Sequence, residues 1–319
     1  MAMAAFRRSC AGFSAMPADR LLGPGGQAGR AGDWQTICAA SARVAAGDGP
    51  ARAFFETWFR PIRVISETKP GGFFTGYFEP TLRGARTRGG AFAVPLYRRP
   101  PDLGDTRVRP FLDRAAIDKG ALAGKGLELL WADDAIDVFF LHVQGSGRIV
   151  MADGTTVRLG YAGDNGHRYV PIGRILVERN VLKAEEVSLQ SIREWLRANP
   201  SAATQVMQSN PRYIFFRVFE GEGPVGSAGV PLTPGRSLAV DPAHAPMGIP
   251  VWIDTTWPGP GDRPLRRLMI AQDTGAAIKG PGRGDVFWGA GAQAEEWAGA
   301  MKQPGLAVLL VPTAALPGP

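Results

Sequence analysis

The spacing of hydrophobic positions along the chain changes after about residue 60. Before that point, alanine-rich runs such as ICAASARVAA and ARAFFETWF have the apolar spacing of helices. From GGFFTGYFEPTLRG onward, short aromatic and β-branched runs alternate with Gly and Pro, which is typical of strands and hairpins. The pattern therefore predicts helices at the start of the chain and a largely β remainder.

The middle of the chain combines strand and helix patterns. IDVFFLHVQGSGRIVMADGTTVRLGYAG has two apolar runs that we predict to be strands, with Asp153-Gly154 as a hairpin turn. Helices are predicted at SLQSIREWLRANP, with Ser188 as its cap and Pro200 as its end, and at SAATQVMQSNP. Further predicted strands are RYIFFRVFE, SLAV, IPVWID and LRRLMIAQD, followed by a helix at AQAEEWAGAM.

Composition supports a β-rich soluble protein and narrows its partners. The chain has 319 residues, which suggests roughly two domains, and its 42 Gly and 27 Pro favour many short strands joined by turns. The net charge of +7 suits a polyanionic partner, which could be nucleic acid, anionic lipid or an acidic cell-wall polymer. The arginines are scattered and no nucleic-acid-binding motif is present, so we do not expect nucleic acid as a partner.

Neither the apolar runs of the chain nor its cysteines decide in which cellular compartment the protein lies. No apolar run reaches the roughly 18 residues of a membrane span, and MAMAAFRRSCAGF lacks the apolar core of a signal peptide. Either the protein is cytoplasmic or a leader precedes this numbering. Cys10 and Cys38 could form a disulfide in an oxidising compartment or be buried thiols in the cytosol. Three scattered histidines without a C-x-x-C motif argue against zinc.

The stretch QDTGAAIKGPGRGDVFWG contains the strongest candidate chemistry. Asp273-Thr274-Gly275 matches an aspartic protease motif, but the second copy that such enzymes need is absent. The glycines do not match either phosphate-binding loop. Asp241, Asp273 and Asp285 each end a strand-like segment, so they would converge if those segments form a barrel, although Asp241 could equally cap a turn before Pro242.

Several motifs taken together resemble the membrane-bound lytic transglycosylase A family over residues 5 to 310. They are GYFEP, VQGSGR, YAGDNGHRYVPIGR, NPRYIFF, PLTPGRSLAVDP, QDTGAAIKG and GDVFWGAG. The last part of the chain also resembles the three-aspartate (3D) module. The chain departs from the family pattern at Ala276, where Gly is usual, and in the glycine-rich PGRGD approach to Asp285.

The resemblance implies a mainly β fold, with a double-psi β-barrel, an inserted smaller β domain and peripheral helices. Residues 1–80 and 219–319 would form the discontinuous catalytic barrel, with the 3D module at about 235–308. Residues 81–218 would form the inserted domain and the other wall of a glycan groove. We expect this insert to supply no proton donor, with Asp153 and Asp164 in solvated turns.

The resemblance also implies an activity, namely cleavage of the β-1,4 bond between N-acetylmuramic acid and N-acetylglucosamine with formation of 1,6-anhydromuramyl products. Asp285 would be the single catalytic acid, and Asp273 and Asp241 would support it. Because Val286, Phe287 and Trp288 follow Asp285, we expect an apolar setting that favours its neutral form. Asp273 should instead accept backbone N–H bonds. Candidate glycan contacts are Thr75, Tyr77, Glu79, Gln144, Ser146, Tyr161, Asn165 and Lys279, and neither a metal nor a cofactor is expected.

Family members are exported, so the resemblance implies a periplasmic protein associated with the outer membrane, whose leader is absent from this chain. In that compartment we expect Cys10 and Cys38 to be joined. Expected partners are peptidoglycan glycan strands and cell-wall synthesis or division proteins, and the protein is expected to be a monomer. Two alternatives stay open: a glycan hydrolase using both Asp273 and Asp285, and a non-catalytic cell-wall-binding module.

Overall fold

The computed structural model describes residues 1–64, 71–106, 108–221 and 223–315. Its helices are α1 Ala2–Ser14, α2 Ala31–Ser41, α3 Asp48–Trp58, α4 Arg114–Asp118, α5 Ala135–Gln144, α6 Ile172–Glu178, α7 Leu189–Ala198, α8 Pro200–Gln208 and α9 Ala292–Ala300. Its strands are β1 Phe59–Arg63, β2 Gly72–Glu79, β3 Thr81–Ala85, β4 Val94–Tyr97, β5 Glu128–Ala132, β6 Gly147–Met151, β7 Thr156–Asp164, β8 Ile214–Phe219, β9 Ser237–Val240, β10 Pro250–Thr256, β11 Pro264–Asp273, β12 Arg283–Ala290 and β13 Lys302–Pro312.

The chain divides into two compact units, each assembled from separate segments. The first comprises Met1–Tyr77, Val225–Gly289 and Ala300–Pro319, and the second comprises Phe78–Pro224 and Ala290–Gly299. The expectation of a mainly β protein with peripheral helices agrees with the elements observed in both units.

The first unit is built around a barrel. Its strands follow the order β1-β13-β10-β11-β9-β12-β2, and an additional β13–β2 pairing closes the six strands from β13 to β2 into a ring, with β1 paired to β13 outside it. Strands β9 and β11 pair in parallel, whereas β9 and β12 pair antiparallel. Strand β9 is buried along its whole length, and it therefore holds its two neighbours at fixed register around an apolar interior.

Helix α1 is fastened to the barrel and to α2. The buried side chain of Gln272 on β11 donates hydrogen bonds to the Ala5 carbonyl and the Ser9 hydroxyl of α1. A disulfide joins Cys10 to Cys38, with 5.6 Å between their Cα atoms, which confirms the pairing expected for an exported protein. The predicted helices of the first 60 residues are confirmed as α1, α2 and α3.

The second unit contains a six-stranded sheet in the order β4-β5-β3-β6-β7-β8. The hairpin between β6 and β7 turns at Asp153-Gly154 as predicted. Asp153 Oδ1 accepts hydrogen bonds from the Thr155 amide and hydroxyl, and Gly154 has φ +81°. Asp153 is exposed there, in agreement with the expectation of a solvated turn.

The prediction of a strand at IDVFFLHVQ is wrong, because this run forms helix α5. Asp134 caps the helix by accepting the Ile136 amide at 2.7 Å, and Gly145 ends it with φ +81°. Most of the run is apolar because α5 is covered on two faces. Val138 packs with the sheet, whereas Phe139 packs among the other helices. A helix covered on two faces has only a narrow polar stripe by which its period could be recognised.

The remaining predicted elements are confirmed. Helices α7 and α8 occupy SLQSIREWLRANP and SAATQVMQSNP, and the Ser188 hydroxyl accepts the Ser191 amide at the start of α7. Helix α9 and strands β8 to β11 also form where expected. Within the described residues, no helix combines the length and apolarity needed to cross a bilayer.

Candidate active site

Two aspartates of the first unit lie opposite the same residue of β9. Asp273 on β11 and Asp285 on β12 are both in register with Ala239, from opposite sides. A bulge between Ala271 and Asp273 produces this register, because Gln272 becomes the extra residue and its side chain is buried beneath the strand. The two Cα atoms are thus separated by about 10 Å, twice the spacing of neighbouring strands.

Asp285 lies on β12 between a glycine and an apolar run. A Cβ atom on Gly284 would come within 2.9 Å of the Phe74 ring, so glycine is needed there for close packing. After Asp285, Val286 and Phe287 are buried. Its Oδ1 accepts one side-chain hydrogen bond, from the Thr75 hydroxyl at 2.7 Å. The carboxyl is therefore partly buried among apolar neighbours, as the sequence predicts.

Burial is the main influence on the protonation of Asp285. The pKa of this carboxyl is raised to about 6, chiefly by loss of hydration. The hydrogen bond from Thr75 and the charge of Arg283 act in the opposite direction, while the negative charge of Asp273 adds to the increase. The Arg283 guanidinium does not bond the carboxyl directly; it donates to the Thr75 hydroxyl at 2.8 Å. A large fraction of Asp285 is therefore neutral at mildly acidic pH.

Asp273 has a different environment, in which donors reach both oxygens. Its Oδ1 accepts from the Ser227 amide, the Ser227 hydroxyl and the Thr274 amide, each at 2.9 Å. Its Oδ2 accepts from the Tyr77 hydroxyl, also at 2.9 Å. The expected backbone N–H bonds are thus present, and Asp273 is arranged as a hydrogen-bond acceptor.

Tyr77 lies within the electrostatic influence of both aspartates. Burial raises the pKa of its hydroxyl well above the ordinary value, and the charges of Asp273 and Asp285 raise it further. Its ring packs against Phe287, with centroids 5.2 Å apart. Tyr77 therefore stays protonated and keeps its proton directed at Asp273.

Asp241 is held in a turn, as the alternative reading of its sequence context suggested. Its oxygens accept the Ala243 amide at 3.2 Å and the Gly280 amide at 2.8 Å. Burial acts to raise its pKa, but these two bonds and the charge of Lys279 outweigh burial, so the pKa is lowered. Lys279 itself is exposed. Asp241 therefore shapes the glycine loop and makes no hydrogen bond to Asp285.

Two predicted glycan contacts in the second unit are buried. Asn165 is fully buried, its amide donates to the Leu112 and Pro211 carbonyls, and its oxygen accepts the Tyr213 amide. Glu79 is 4% exposed and lies 3.4 Å from Arg148. Both side chains therefore make contacts within the fold, and their assignment as glycan contacts stays a prediction.

The other predicted contacts of this unit differ in exposure. Tyr161 is 49% exposed and Ser146 is partly buried. Gln144 accepts the Phe78 amide at 3.1 Å, which fixes its side chain at the end of α5. Asp164 does not lie in a solvated turn as expected. It ends β7, pairs with Arg212 at 2.7 Å and accepts the Tyr161 hydroxyl at 2.5 Å.

Sequence analysis missed two residues that contact the predicted site. Arg283 was noted only as part of the unusual PGRGD stretch, although it binds Thr75. Ser227 gave no signal, because it lies in the exposed segment that precedes β9 and reaches Asp273 only in the folded chain. Within residues 1–64, 71–106, 108–221 and 223–315, no group of three or more His, Cys, Asp or Glu side chains could hold a metal ion.

Comparison with known proteins agrees with the motifs found in the sequence. Family models match at residues 73–217, the MltA specific insert domain, and at residues 236–311, the 3D domain. A membrane-bound lytic murein transglycosylase A of Vibrio cholerae is 37% identical over 238 residues, which is 72% of this chain and 62% of that protein. The chain thus spans about three fifths of the length of the curated relatives it matches.

Solved structures extend the similarity over nearly the whole chain. A membrane-bound lytic murein transglycosylase from Agrobacterium tumefaciens is 36% identical, with a TM-score of 0.86 over 98% of this chain and 92% of that one. Escherichia coli MltA with bound chitohexaose is 30% identical, with a TM-score of 0.73 over 88% of this chain and 82% of that one. The chain belongs to the membrane-bound lytic murein transglycosylase A family.

Proposed function

We propose that the protein is a peptidoglycan lytic transglycosylase. It would cleave the β-1,4 bond between N-acetylmuramic acid and N-acetylglucosamine and leave a 1,6-anhydromuramyl end. The observation that carries this proposal is the contrast between a partly buried Asp285, with a pKa raised to about 6, and an Asp273 fully engaged by donors. One carboxyl that exchanges a proton is what an intramolecular cleavage requires.

The reaction needs two proton transfers at the same carboxyl. Neutral Asp285 donates its proton to the glycosidic oxygen as the bond to C1 of the muramic residue breaks, so the leaving sugar departs as an alcohol. The resulting carboxylate then accepts the proton of the muramic C6 hydroxyl while O6 bonds to C1. The carboxyl is regenerated and no water is consumed, which follows the acid-then-base logic of retaining glycosidases.

The surrounding residues support both states of Asp285. Thr75 donates to the carboxylate, and the Arg283 charge behind Thr75 stabilises it once the proton has left. Asp273, held by Tyr77 and Ser227, keeps a negative charge nearby that favours return of the proton and stabilises positive charge developing at C1. The remaining proposed glycan contacts are Gln144, Ser146, Tyr161 and Lys279.

The proposal also covers the type of barrel, the inserted domain and the cellular compartment. We infer a double-psi barrel from the six-stranded closed order, with residues 81–218 as the inserted domain. The relatives are named membrane-bound, and the Cys10–Cys38 disulfide suits an oxidising compartment, so we place the protein in the periplasm at the outer membrane. Glycan strands are its proposed partners, since a relative binds chitohexaose.

The products of the reaction test the proposal against its alternatives. Purified peptidoglycan is digested, and the muramic ends are analysed by mass spectrometry. The proposed reaction gives ends lighter by one water than the reducing ends left by a hydrolase that uses Asp273 and Asp285 together. Reducing ends would establish the hydrolase, and an intact polymer that still binds the protein would establish a non-catalytic wall-binding module.

A further inference from the structure

A cavity of about 380 Å³ lies inside the second unit. It is bounded by α4, α5 and α8, by strand β4 and by Tyr213. Its volume is in the range of small-molecule sites, roughly 300 to 1,000 Å³. Much of the wall is apolar or aromatic, with contributions from Val94, Ile117, Trp131, Val138, Phe139 and Met207.

Arg114 is a buried cation in this wall. It is 3% exposed, and its guanidinium lies 4.8 Å from the Phe139 ring centroid and 5.2 Å from that of Tyr213. Its polar contacts are the carbonyls of Asn210 and Arg212 and the His142 ring. Among the described residues no carboxylate contacts it directly, although the charge of Asp118, one turn further along α4, acts on it. A guanidinium stays charged, so burying one without a directly bonded counter-ion is costly.

Two tyrosine hydroxyls share the cavity with Arg114. Tyr97 is 2% exposed and Tyr213 is 3% exposed, and both line the cavity. Neither hydroxyl has a hydrogen-bond partner among the residues that the structure describes. Burial raises the pKa of both hydroxyls, so both stay protonated and can donate. Two buried donors beside a cation that no carboxylate contacts directly indicate an oxygen anion as a fitting partner.

His142 contributes a neutral ring to the same wall. Its Nδ1 must accept from Arg114, at 3.1 Å, because a guanidinium can only donate. The proton is therefore on Nε2, which is enclosed and has no hydrogen-bond partner in the described chain. Burial and the charge of Arg114 lower the pKa of His142 well below its ordinary value, so the ring contributes no charge.

The charge balance of the lining sets the charge of the ligand. The cavity is lined by two arginines, Arg88 and Arg114, and by one carboxylate, the exposed Asp118. Arg88 lies over the Trp131 ring at 5.7 Å, and Asp118 accepts a hydrogen bond from Gln208 at 3.3 Å. One net positive charge matches a monoanion better than a dianion such as phosphate.

We propose that this cavity binds a monocarboxylate of about dipeptide size. The carboxylate would lie against Arg114 and the hydroxyls of Tyr97 and Tyr213, and the body of the ligand would pack on the aromatic and apolar wall. Such a carboxylate could end a murein peptide or belong to a free small acid. Only the identification of murein peptide as the source rests on the proposed function.

Calorimetric titration of the full chain carrying Asp285→Asn tests the site without turnover. The probes are N-acetyl-D-alanyl-D-alanine and the same molecule with a C-terminal amide. The acid should bind at least tenfold more tightly than the amide, because only the acid neutralises Arg114. Absence of binding at millimolar acid, or equal affinity for acid and amide, would overturn the proposal.

Two variants at the cavity sharpen the test. The double variant Tyr97→Phe, Tyr213→Phe keeps both rings and removes both hydroxyls, so it should weaken acid binding at least tenfold. Asp118→Asn removes the competing negative charge and should strengthen acid binding severalfold. If circular dichroism shows that the double variant is misfolded, Asp118→Asn decides alone, and unchanged or weaker binding in it contradicts the proposed anion site.

A stereoisomer distinguishes the two sources of the carboxylate. Preference for the D,D-dipeptide over N-acetyl-L-alanyl-L-alanine supports a murein peptide, whereas equal affinity supports a free acid at the same carboxylate site. The readout is binding by a variant that lacks Asp285. If the Asp285→Asn variant does not bind the acid, the product analysis of the wild type is unaffected. If the product analysis fails, the binding result still stands.

Discussion

Asp285 in the barrel unit and Asp164 in the second unit have similar neighbours and different environments. Each carboxylate accepts a side-chain hydroxyl, from Thr75 in one case and from Tyr161 in the other. Each also has an arginine nearby. Arg212 pairs directly with Asp164 at 2.7 Å, whereas Arg283 is bonded to Thr75 and not to Asp285. One hydroxyl group thus separates the cation from the acid in the barrel.

The difference shows how the same residue types give an ion pair or a proton donor. A direct guanidinium contact stabilises a carboxylate and opposes protonation. When Thr75 is interposed, the attraction is weaker than the effect of burial, and the pKa of Asp285 rises to about 6. At Asp285 the charge of Arg283 therefore opposes the effect of burial without overcoming it.

The largest expected effect is the loss of activity in Asp285→Asn. The amide fills nearly the same space but can neither donate an acidic proton nor accept one, so turnover should fall by about 10³-fold or more. Release of anhydromuramyl ends from peptidoglycan measures it. Asp164→Asn is the matched control and should retain at least a tenth of the wild-type activity, because we assign Asp164 no proton transfer.

Two outcomes for the variants Asp285→Asn and Asp164→Asn would contradict the contrast between these two aspartates. An active Asp285→Asn protein would show that another group supplies the proton. A thousandfold loss in Asp164→Asn, with its melting temperature preserved, would move the catalytic acid into the second unit. Partial loss accompanied by a lower melting temperature fits the broken ion pair with Arg212.

Much of this contrast could be predicted from local sequence. The apolar run after Asp285 and the turn after Asp273 predict their environments, because both depend on adjacent residues. The contacts of Asp164 were missed because Arg212 lies 48 positions away and approaches it only when β7 pairs with β8. The burial of Asn165 was missed for the same reason, since its partners lie on separate segments.

Helix α5 shows a different limit of sequence reasoning. Its residues are as apolar as those of a buried strand, and only its ends, capped by Asp134 and Gly145, carry a helix signal. Four strands of the barrel, β2, β9, β10 and β11, were predicted more accurately, whereas β1, β12 and β13 were not predicted. Gly or Pro lies near the ends of the predicted strands, and β10 in addition alternates buried and less buried positions.

Asp273→Asn should have the second largest effect. Its oxygens accept from Tyr77, Ser227 and Thr274, and an amide can replace only some of these acceptors. We expect activity to fall about 10- to 100-fold and stability to fall by about 1–3 kcal/mol, because the partly buried Tyr77 hydroxyl can be left without its acceptor. Thermal unfolding and product release measured on the same preparation check both changes. Full activity with a lowered melting temperature would confine Asp273 to a structural role.

Stability should also depend on pH through Asp285. Its pKa is raised in the folded state, so its protonation stabilises the fold below the unfolded value, and this contribution is lost as pH rises through about 6. Asp285→Asn cannot ionise. It should therefore match the wild type at about pH 3 and exceed its unfolding free energy by up to about 3 kcal/mol near pH 8. Denaturant unfolding at the two pH values measures this, and a constant difference would contradict the raised pKa.

Thr75→Val tests the separation between Arg283 and Asp285 most directly. Valine keeps the shape of threonine and removes the hydroxyl that bonds both residues. Because that hydrogen bond lowers the pKa of Asp285, its loss should raise the pKa, and the decline of kcat/KM at high pH should move upward from about 6. Relative to pH 5, activity near pH 7 should then be severalfold higher than in the wild type.

Arg283→Ala should shift the pH profile in the same direction, since the guanidinium also lowers the pKa of Asp285. A downward shift in Thr75→Val would show that Arg283 moves into direct contact with Asp285 when the hydroxyl is removed, converting the acid into an ion pair like that of Asp164 and Arg212.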